Sequence, residues 1–145
     1  MFKHILVPVD GSATALQAVD TAIGLAKVHG SRVTAIFVVD PYPFTGVGTD
    51  FAYGQADYLS AAMAEANTAI KAAKAQFAAA GVAVDSSVIE SHSAWRGVVD
   101  TADAADVDLI VMGSHGRKGL EKLLLGSVTQ AVLSHTKRSV LVVRD

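Results

Sequence analysis

Cysteine is absent from this 145-residue chain, so neither a disulfide nor a thiol nucleophile can contribute to its structure or chemistry. We therefore expect a reducing, cytoplasmic setting. Basic residues do not exceed acidic ones, and the net charge of −2 gives no reason to expect a nucleic-acid partner. Long apolar runs are also missing, so we expect no membrane insertion. The first apolar run ends at Pro8 and Asp10, which makes it too short for a signal peptide.

The composition is that of a folded domain. Apolar residues make up 51% of the chain and charged residues 18%, which argues against a disordered protein. The length suits one compact domain over residues 1–145 with a substantial core. The sequence contains no internal repeat, low-complexity tail or linker.

Five short runs rich in valine, isoleucine and leucine predict strands. They are Ile5–Val9, Val33–Val39, Val82–Ile89, Leu109–Met112 and Val140–Val143. Four of them are almost continuously apolar, as strands covered on both faces should be. The third is interrupted by polar residues, which predicts an edge strand.

Helical patterns lie between these runs. The first helix ends at Gly30, and the second, over about Ala56–Ala80, has Gly81 as its C-cap. Ser93 and Ser127 are the predicted N-caps of the third and fourth. Strict alternation predicts an α/β fold, a doubly wound, Rossmann-like, five-stranded parallel sheet of order 3-2-1-4-5. The long irregular stretch Asp40–Gln55 is either a lid over a site or a surface loop.

Two predicted strands end in residues suited to a ligand. The first ends in Pro8, Val9 and Asp10, and the fourth in Met112 and Gly113. If these strands are neighbours where the strand order reverses, both ends face one crevice. A nucleotide fits such a crevice, with its ribose at the carboxylate and its phosphates at a glycine loop and a helix start.

Three glycines after the fourth strand are spaced as Gly-x-x-Gly, nine residues, Gly-Ser: Gly113, Gly116 and Gly126. Glycine lets backbone approach an anion closely, and the helix predicted from Ser127 offers free N–H groups and a positive dipole end. The stretch is not a Walker A loop, and no Gly-x-Gly-x-x-Gly follows the first strand.

With these motifs the chain resembles the universal stress protein family. The resemblance runs from Ile5–Ser12 through Asp108–Gly116 to Ser139–Val143. ATP-binding members of that family carry the same glycine spacing, which members that do not bind ATP generally lack. The resemblance implies a fold like that of the adenine nucleotide alpha hydrolases, and ATP with Mg²⁺ or Mn²⁺ as the ligand.

The resemblance also implies which residues bind ATP. Asp10 would bond the ribose or a phosphate-bound metal, and the backbone around Gly113 and Gly116 would wrap the phosphates. The full set is Pro8, Val9, Asp10, Val38, Val39, Met112, Gly113, His115, Gly116, Arg117, Gly126, Ser127, Val128 and Thr129. The chain departs from the family before its third helix, where many members have a Gly-Asp/Asn-Pro turn. Ser91–Trp95 stands there instead, so a turn of different geometry is expected at this position.

Several residues have a second interpretation. Asp10 could cap the first helix, as Ser12 also could. The side chains of His115 and Arg117 either contact phosphate or point to solvent. The remaining histidines show no metal-ligand spacing, and Trp95 is expected to pack against the sheet. A Ser12–His115 nucleophile is rejected, because no third orienting group is evident.

The leading hypothesis is a cytoplasmic, dimeric ATP-binding protein that acts as a sensor or regulator, in a stress response or in control of a partner protein, with little or no turnover. Two alternatives are a slow ATPase or phosphotransferase using Asp10-bound Mg²⁺ with His115 or Arg117, and a flavodoxin-like electron carrier. A structural dimer without nucleotide is a further alternative. The dimer would form through Val140–Val143, because an exposed apolar edge strand invites pairing.

Overall fold

The computed structural model describes residues 1–41, 49–116 and 125–144, and the side chains among them except those of residues 49–53. Its strands are β1 His4–Pro8, β2 Arg32–Val39, β3 Asp85–Glu90, β4 Leu109–Gly113 and β5 Ser139–Val143. Its helices are α1 Ala13–His29, α2 Thr49–Ala79, α3 Ala94–Ala104 and α4 Ser127–His135.

The strands form one parallel sheet in the order β3-β2-β1-β4-β5, which confirms the predicted fold class and order. Each face of the sheet carries its own core. Ile5 and Val7 of β1 pack with α1 and α2, whereas Leu6 packs with α3 and α4. Because neighbouring side chains of a strand point to opposite faces, β1 is covered on both sides and reads as continuously apolar.

Local signals in the sequence explain where two helices stop. Gly30 ends α1 with φ 65°, and its N–H donates to the carbonyl of Ala26. After α2, Gly81 has φ 75° and the Val82 N–H donates to the Phe77 carbonyl at 3.0 Å. Both glycines adopt the left-handed conformation that closes a helix.

Three predicted boundaries are wrong. The second helix begins at Thr49, so the part of Asp40–Gln55 from Thr49 onwards is helical, and residues 42–48 lie outside the described residues. The third strand begins at Asp85 instead of Val82, because Val82 is still engaged in closing α2. Gly126, not Ser127, occupies the N-cap position of α4.

Helices α3 and α4 contact each other through aromatic rings. Trp95 stacks on His135 with ring centroids 4.0 Å apart and an interplanar angle of 21°. Trp95 also packs against the core of this face, so the expectation that it packs in the fold is confirmed. No helix in the described part of the chain is long and apolar enough to cross a membrane.

Asp108 joins the starts of β1 and β4. Its carboxylate accepts the backbone N–H groups of Lys3 and His4 at 3.0 and 2.8 Å. Burial raises the pKa of Asp108, but these two hydrogen bonds prevail and hold it below its usual value of 3.8. The ionised form is therefore favoured by folding.

We expect Asp108→Ala to lower the free energy of unfolding by about 1 kcal/mol, the scale of lost hydrogen bonds. The contribution is fully present above the usual pKa of 3.8 and is lost as the pH falls through the lower folded value. Urea unfolding at pH 7 and pH 3 measures both effects. If Asp108→Ala lowered the free energy of unfolding as much at pH 3 as at pH 7, the lowered pKa of Asp108 would be contradicted. Asp100→Ala, on the exposed face of α3, is the control.

Candidate functional site

Strands β1 and β4 lie side by side, with Ile5 paired to Leu109 and Leu6 to Ile110. This pairing is the adjacency on which the predicted crevice depended. The strand order reverses between them, and a cleft opens at their carboxyl ends. The cleft holds about 580 Å³ of space, part of it open to solvent.

Most of the cleft wall consists of predicted site residues. The lining residues are Pro8, Val9, Asp10, Ala15, Phe37, Val38, Ala94, Val98, Met112, Gly113, His115, Gly116, Val128 and Thr129. Four of them were missed: Ala15, Phe37, Ala94 and Val98. Ala94 and Val98 are four residues apart on one face of α3, so the helical pattern could have indicated them had the cleft's position been known.

Strand alternation separates the two candidate valines of β2. Val38 lines the cleft, whereas Val39 is 3% exposed and belongs to the core beneath α1 and α2. Successive side chains of a strand point to opposite faces, so Val39 packs into the core on the other face of the sheet from Val38 and is not among the lining residues. Val38 is the one placed to contact a bound ligand.

Asp10 lies in the wall of the cleft, two residues after the end of β1. One carboxylate oxygen accepts the Ser12 N–H at 2.9 Å, and Ser12 in turn caps α1 by accepting the Ala15 N–H at 3.1 Å. The helix cap is therefore Ser12, which leaves Asp10 as a wall of the cleft. Its other oxygen would lie 2.8 Å from a Cβ at Gly116, so carboxylate and glycine loop are in direct apposition.

The other two glycines of the motif serve packing. A Cβ at Gly113 would lie 2.7 Å from Cγ2 of Thr14, so the glycine lets the end of β4 approach the first turn of α1. The Gly126 N–H donates to the Ser114 carbonyl at 2.6 Å, and a Cβ at Gly126 would lie 3.3 Å from that same oxygen. The spacing thus brings the end of β4 and the start of α4 together.

The first turn of α4 faces the cleft with two residues. Val128 and Thr129 line it, whereas Ser127 is exposed and is not among the lining residues. The Thr129 hydroxyl donates to the Gly113 carbonyl at 2.8 Å, and this hydrogen bond ties the first turn of α4 to the end of β4. Helix starts present N–H groups that lack partners within the helix, and these amides are the donors α4 can offer an anion.

His115 projects from the glycine loop into the cleft wall. Its Nδ1 lies 3.1 Å from Oγ of Ser114, a side chain that is 1% exposed. This contact orients the imidazole beside the loop. Arg117, the remaining predicted loop residue, lies outside the described residues.

The segment from Ser91 to Trp95 leads from β3 into α3 and contributes Ala94 to the cleft wall. Ser93 occupies the N-cap position of α3 with an extended backbone but without a side-chain capping bond. Its N–H donates to Oγ of Ser91 at 3.4 Å, and Nδ1 of His92 lies 3.5 Å from Oδ1 of Asp40. The turn before α3 is thus held by a hydrogen bond between two serines and by a contact of His92 with Asp40, the residue that follows β2.

The cleft is chemically divided. Its apolar end is formed by α3, β2 and the end of β4 through Ala94, Val98, Val38 and Met112, and its polar end by Asp10 and the glycine loop. Groups of three or more residues able to ligate a metal do not occur in the described part of the chain. Asp10 is the one carboxylate among the described lining residues, and a single carboxylate can take part in a Mg²⁺ site that is completed by phosphate oxygens and water.

Comparisons with known proteins agree on one family. The model of the universal stress protein family matches residues 1–144. A universal stress protein of Methanocaldococcus jannaschii is 37% identical over 145 residues, covering 99% of this chain and 83% of its own. One from Thermus aquaticus is 30% identical, covering 99% and 100%. The structure of UspA from Lactobacillus plantarum superposes with a TM-score of 0.87 at 27% identity, covering 99% and 98%. The chain belongs to the universal stress protein family.

Proposed function

We propose that this chain binds ATP, together with Mg²⁺ or Mn²⁺, in the cleft between β1 and β4. We further propose that it acts as a nucleotide-dependent sensor or regulator in a stress response or of a partner protein. The observation that carries the proposal is the apposition of the Asp10 carboxylate, the Gly116 loop and the start of α4 around one cleft.

The two ends of the cleft suit the two ends of a nucleotide. Val38, Ala94 and Val98 offer an apolar slot for a base, since ligand pockets combine apolar walls with a few placed polar groups. The loop at Gly116 and the first amides of α4 suit phosphates, because helix starts favour anions. A carboxylate alone would repel phosphate, so Asp10 fits the ribose hydroxyls or a metal ion.

Relatives support an adenine nucleotide. A universal stress protein described in complex with cAMP shares this fold at a TM-score of 0.73 and 24% identity. One from Archaeoglobus fulgidus described in complex with dAMP does so at 0.70 and 20%. At such identities the likeness is one of fold, and it supports the capacity of this fold to hold an adenine nucleotide.

Asp10 would hold the metal together with the phosphate oxygens of the nucleotide. Mg²⁺ is commonly held by one or two carboxylates plus substrate phosphates and water, which is what this end of the cleft provides. When bound it would neutralise phosphate charge. Asp10 is the single carboxylate among the described cleft residues, and the Ser12 N–H already bonds one of its oxygens. This supports a bound ligand over rapid turnover.

Thermal unfolding with and without Mg-ATP tests the proposal. ATP at about 100 times its Kd should stabilise the wild type by about 2.7 kcal/mol and raise its Tm. The double variant Gly116→Val, Gly126→Val should lose this rise, because the added Cβ atoms meet Asp10 at 2.8 Å and the Ser114 carbonyl at 3.3 Å.

Gly24→Val is the control, because a Cβ at this helical glycine meets nothing within 4 Å. It should keep the Tm rise. An equal rise in the double variant would place ATP elsewhere. Rapid steady-state hydrolysis that Asp10→Ala abolishes would show an enzyme instead of a regulator.

We also propose that the protein is a homodimer formed through β5. This strand is an edge of the sheet, and Leu141 on it is 38% exposed. Pairing of two such strands would satisfy their open backbone groups and cover the leucine.

A further inference from the structure

Helix α3 lies unusually close to β2 at one residue. Gly97 is buried, and a Cβ placed on it would lie 2.8 and 2.9 Å from the two methyl groups of Val38. The same Cβ would lie 3.3 Å from Cβ of Ser91. Real Cβ atoms do not come within 3.0 Å of such neighbours, so only glycine permits this approach.

The close contact lies in the wall of the cleft. Ala94 and Val98 line the cleft from α3, and Gly97 lies three residues after Ala94, on the same helix face, and directly precedes Val98. Val38 lines the cleft from β2. The close approach of α3 to β2 at Gly97 therefore borders the apolar end and helps to set the width of the cleft between these two elements.

We propose that Gly97 is a positioning residue that sets this width and, through Val38, the fit of a nucleobase. The inference rests on the proposed nucleotide function and deepens it. Rotating the Val38 side chain cannot relieve the clash with a methyl group at position 97. The two methyl groups of Val38 occupy two of the three staggered positions about its Cα–Cβ bond. Every rotamer of Val38 therefore leaves at least one methyl group in a position that contacts a Cβ at residue 97.

The side chain that yields is Val38. Helix α3 is anchored by Val98, Val99 and Ala102, all of them buried in the core of this face. Val38 is only half-buried, with the cleft beside it. Added volume at position 97 therefore displaces Val38 into the cleft and narrows the apolar end, which excludes a purine more than a pyrimidine.

Calorimetric titration of the full chain with Mg-ATP and Mg-CTP tests the inference. Gly97→Ala should weaken ATP binding about tenfold, the scale of an overpacking cost of about 1.4 kcal/mol, and CTP binding by less than about threefold. A loss of general stability would weaken both equally. The double variant Gly97→Ala, Val38→Ala removes the clashing methyls and should restore the wild-type ratio of the two Kd values.

Gly24→Ala, a helical glycine with open space around it, should leave both Kd values unchanged. If the wild type binds neither nucleotide, the proposed function fails and this inference with it. If the wild type binds ATP, two results would overturn the inference alone. One is that Gly97→Ala changes the Kd values of ATP and CTP by the same factor. The other is that adding Val38→Ala to Gly97→Ala does not restore the wild-type ratio of these Kd values.

If Gly97→Ala does not fold, the double variant and Val38→Ala carry the same test. Val38→Ala leaves a gap in the wall, which the alanine at position 97 then fills. We expect ATP to bind the double variant as tightly as the wild type and more tightly than Val38→Ala. Equal binding to the double variant and to Val38→Ala would overturn the inference.

Discussion

Replacing Gly113 by alanine is expected to lower the free energy of unfolding by about 2 kcal/mol, within the range that overpacking costs. The added Cβ would lie 2.7 Å from Cγ2 of Thr14 and 3.2 Å from its backbone carbonyl carbon. Positive φ occurs at Gly11, Gly30 and Gly81 among the described glycines, so the backbone of Gly113 suits any residue. The cost therefore comes from lost space between β4 and α1, and urea unfolding measures it.

A second substitution separates the shortest of the three Thr14 contacts from the other two. Thr14→Ala removes Cγ2 but leaves the backbone carbon and Cβ, each at 3.2 Å, so in the Gly113→Ala background it should recover part of the lost stability. Gly24→Ala is the matched control and should not destabilise, since alanine favours a helix over glycine. Gly113→Ala as stable as the wild type would show that α1 is free to move away from β4.

Replacing Leu141 by arginine is expected to convert the proposed dimer into a monomer. Leu141 lies on β5, an edge strand of the sheet that the described residues form, and 38% of the residue is exposed. A like charge from each copy, brought close across a paired edge, opposes association, and inward-facing charges protect natural sheet edges in the same way. Analytical ultracentrifugation at micromolar concentration measures the mass.

Val28→Arg is the control for this experiment. Val28 lies on α1, is 79% exposed, and is remote in sequence from the edge strand. It should leave the mass of the dimer unchanged. A monomeric wild type would refute the proposed dimer, and a Leu141→Arg protein that remains dimeric would place its interface on another surface.

The architecture could be predicted because each strand carries its own signal. Buried strands such as Ile5–Val9 read as apolar runs since both faces of the sheet are covered, and alternation with helices leaves a parallel sheet as the outcome. The start of β3 was misjudged because Val82 has the composition of a strand residue but its N–H is used to close α2 at Phe77. A local hydrogen bond outweighed the propensity.

The candidate site could be predicted in part. Asp10 and the glycine loop were identified from residue types at strand ends, which a general rule of open sheets brings together. The steric roles of Gly113 and Gly97 could not be predicted. Each glycine leaves space for a residue distant in sequence, Thr14 for Gly113 and Val38 for Gly97. Steric contacts of this kind follow from the packed fold and leave no local pattern.

The stacked pair between α3 and α4 has an optical consequence. Trp95 is the only tryptophan of the chain, and it lies beside Ala94 of the cleft wall while its ring rests on His135. Indole emission depends on what its ring contacts. The protein therefore carries an intrinsic fluorophore on the helix that borders the candidate site, and its spectrum records any motion of α3 against α4 without a label.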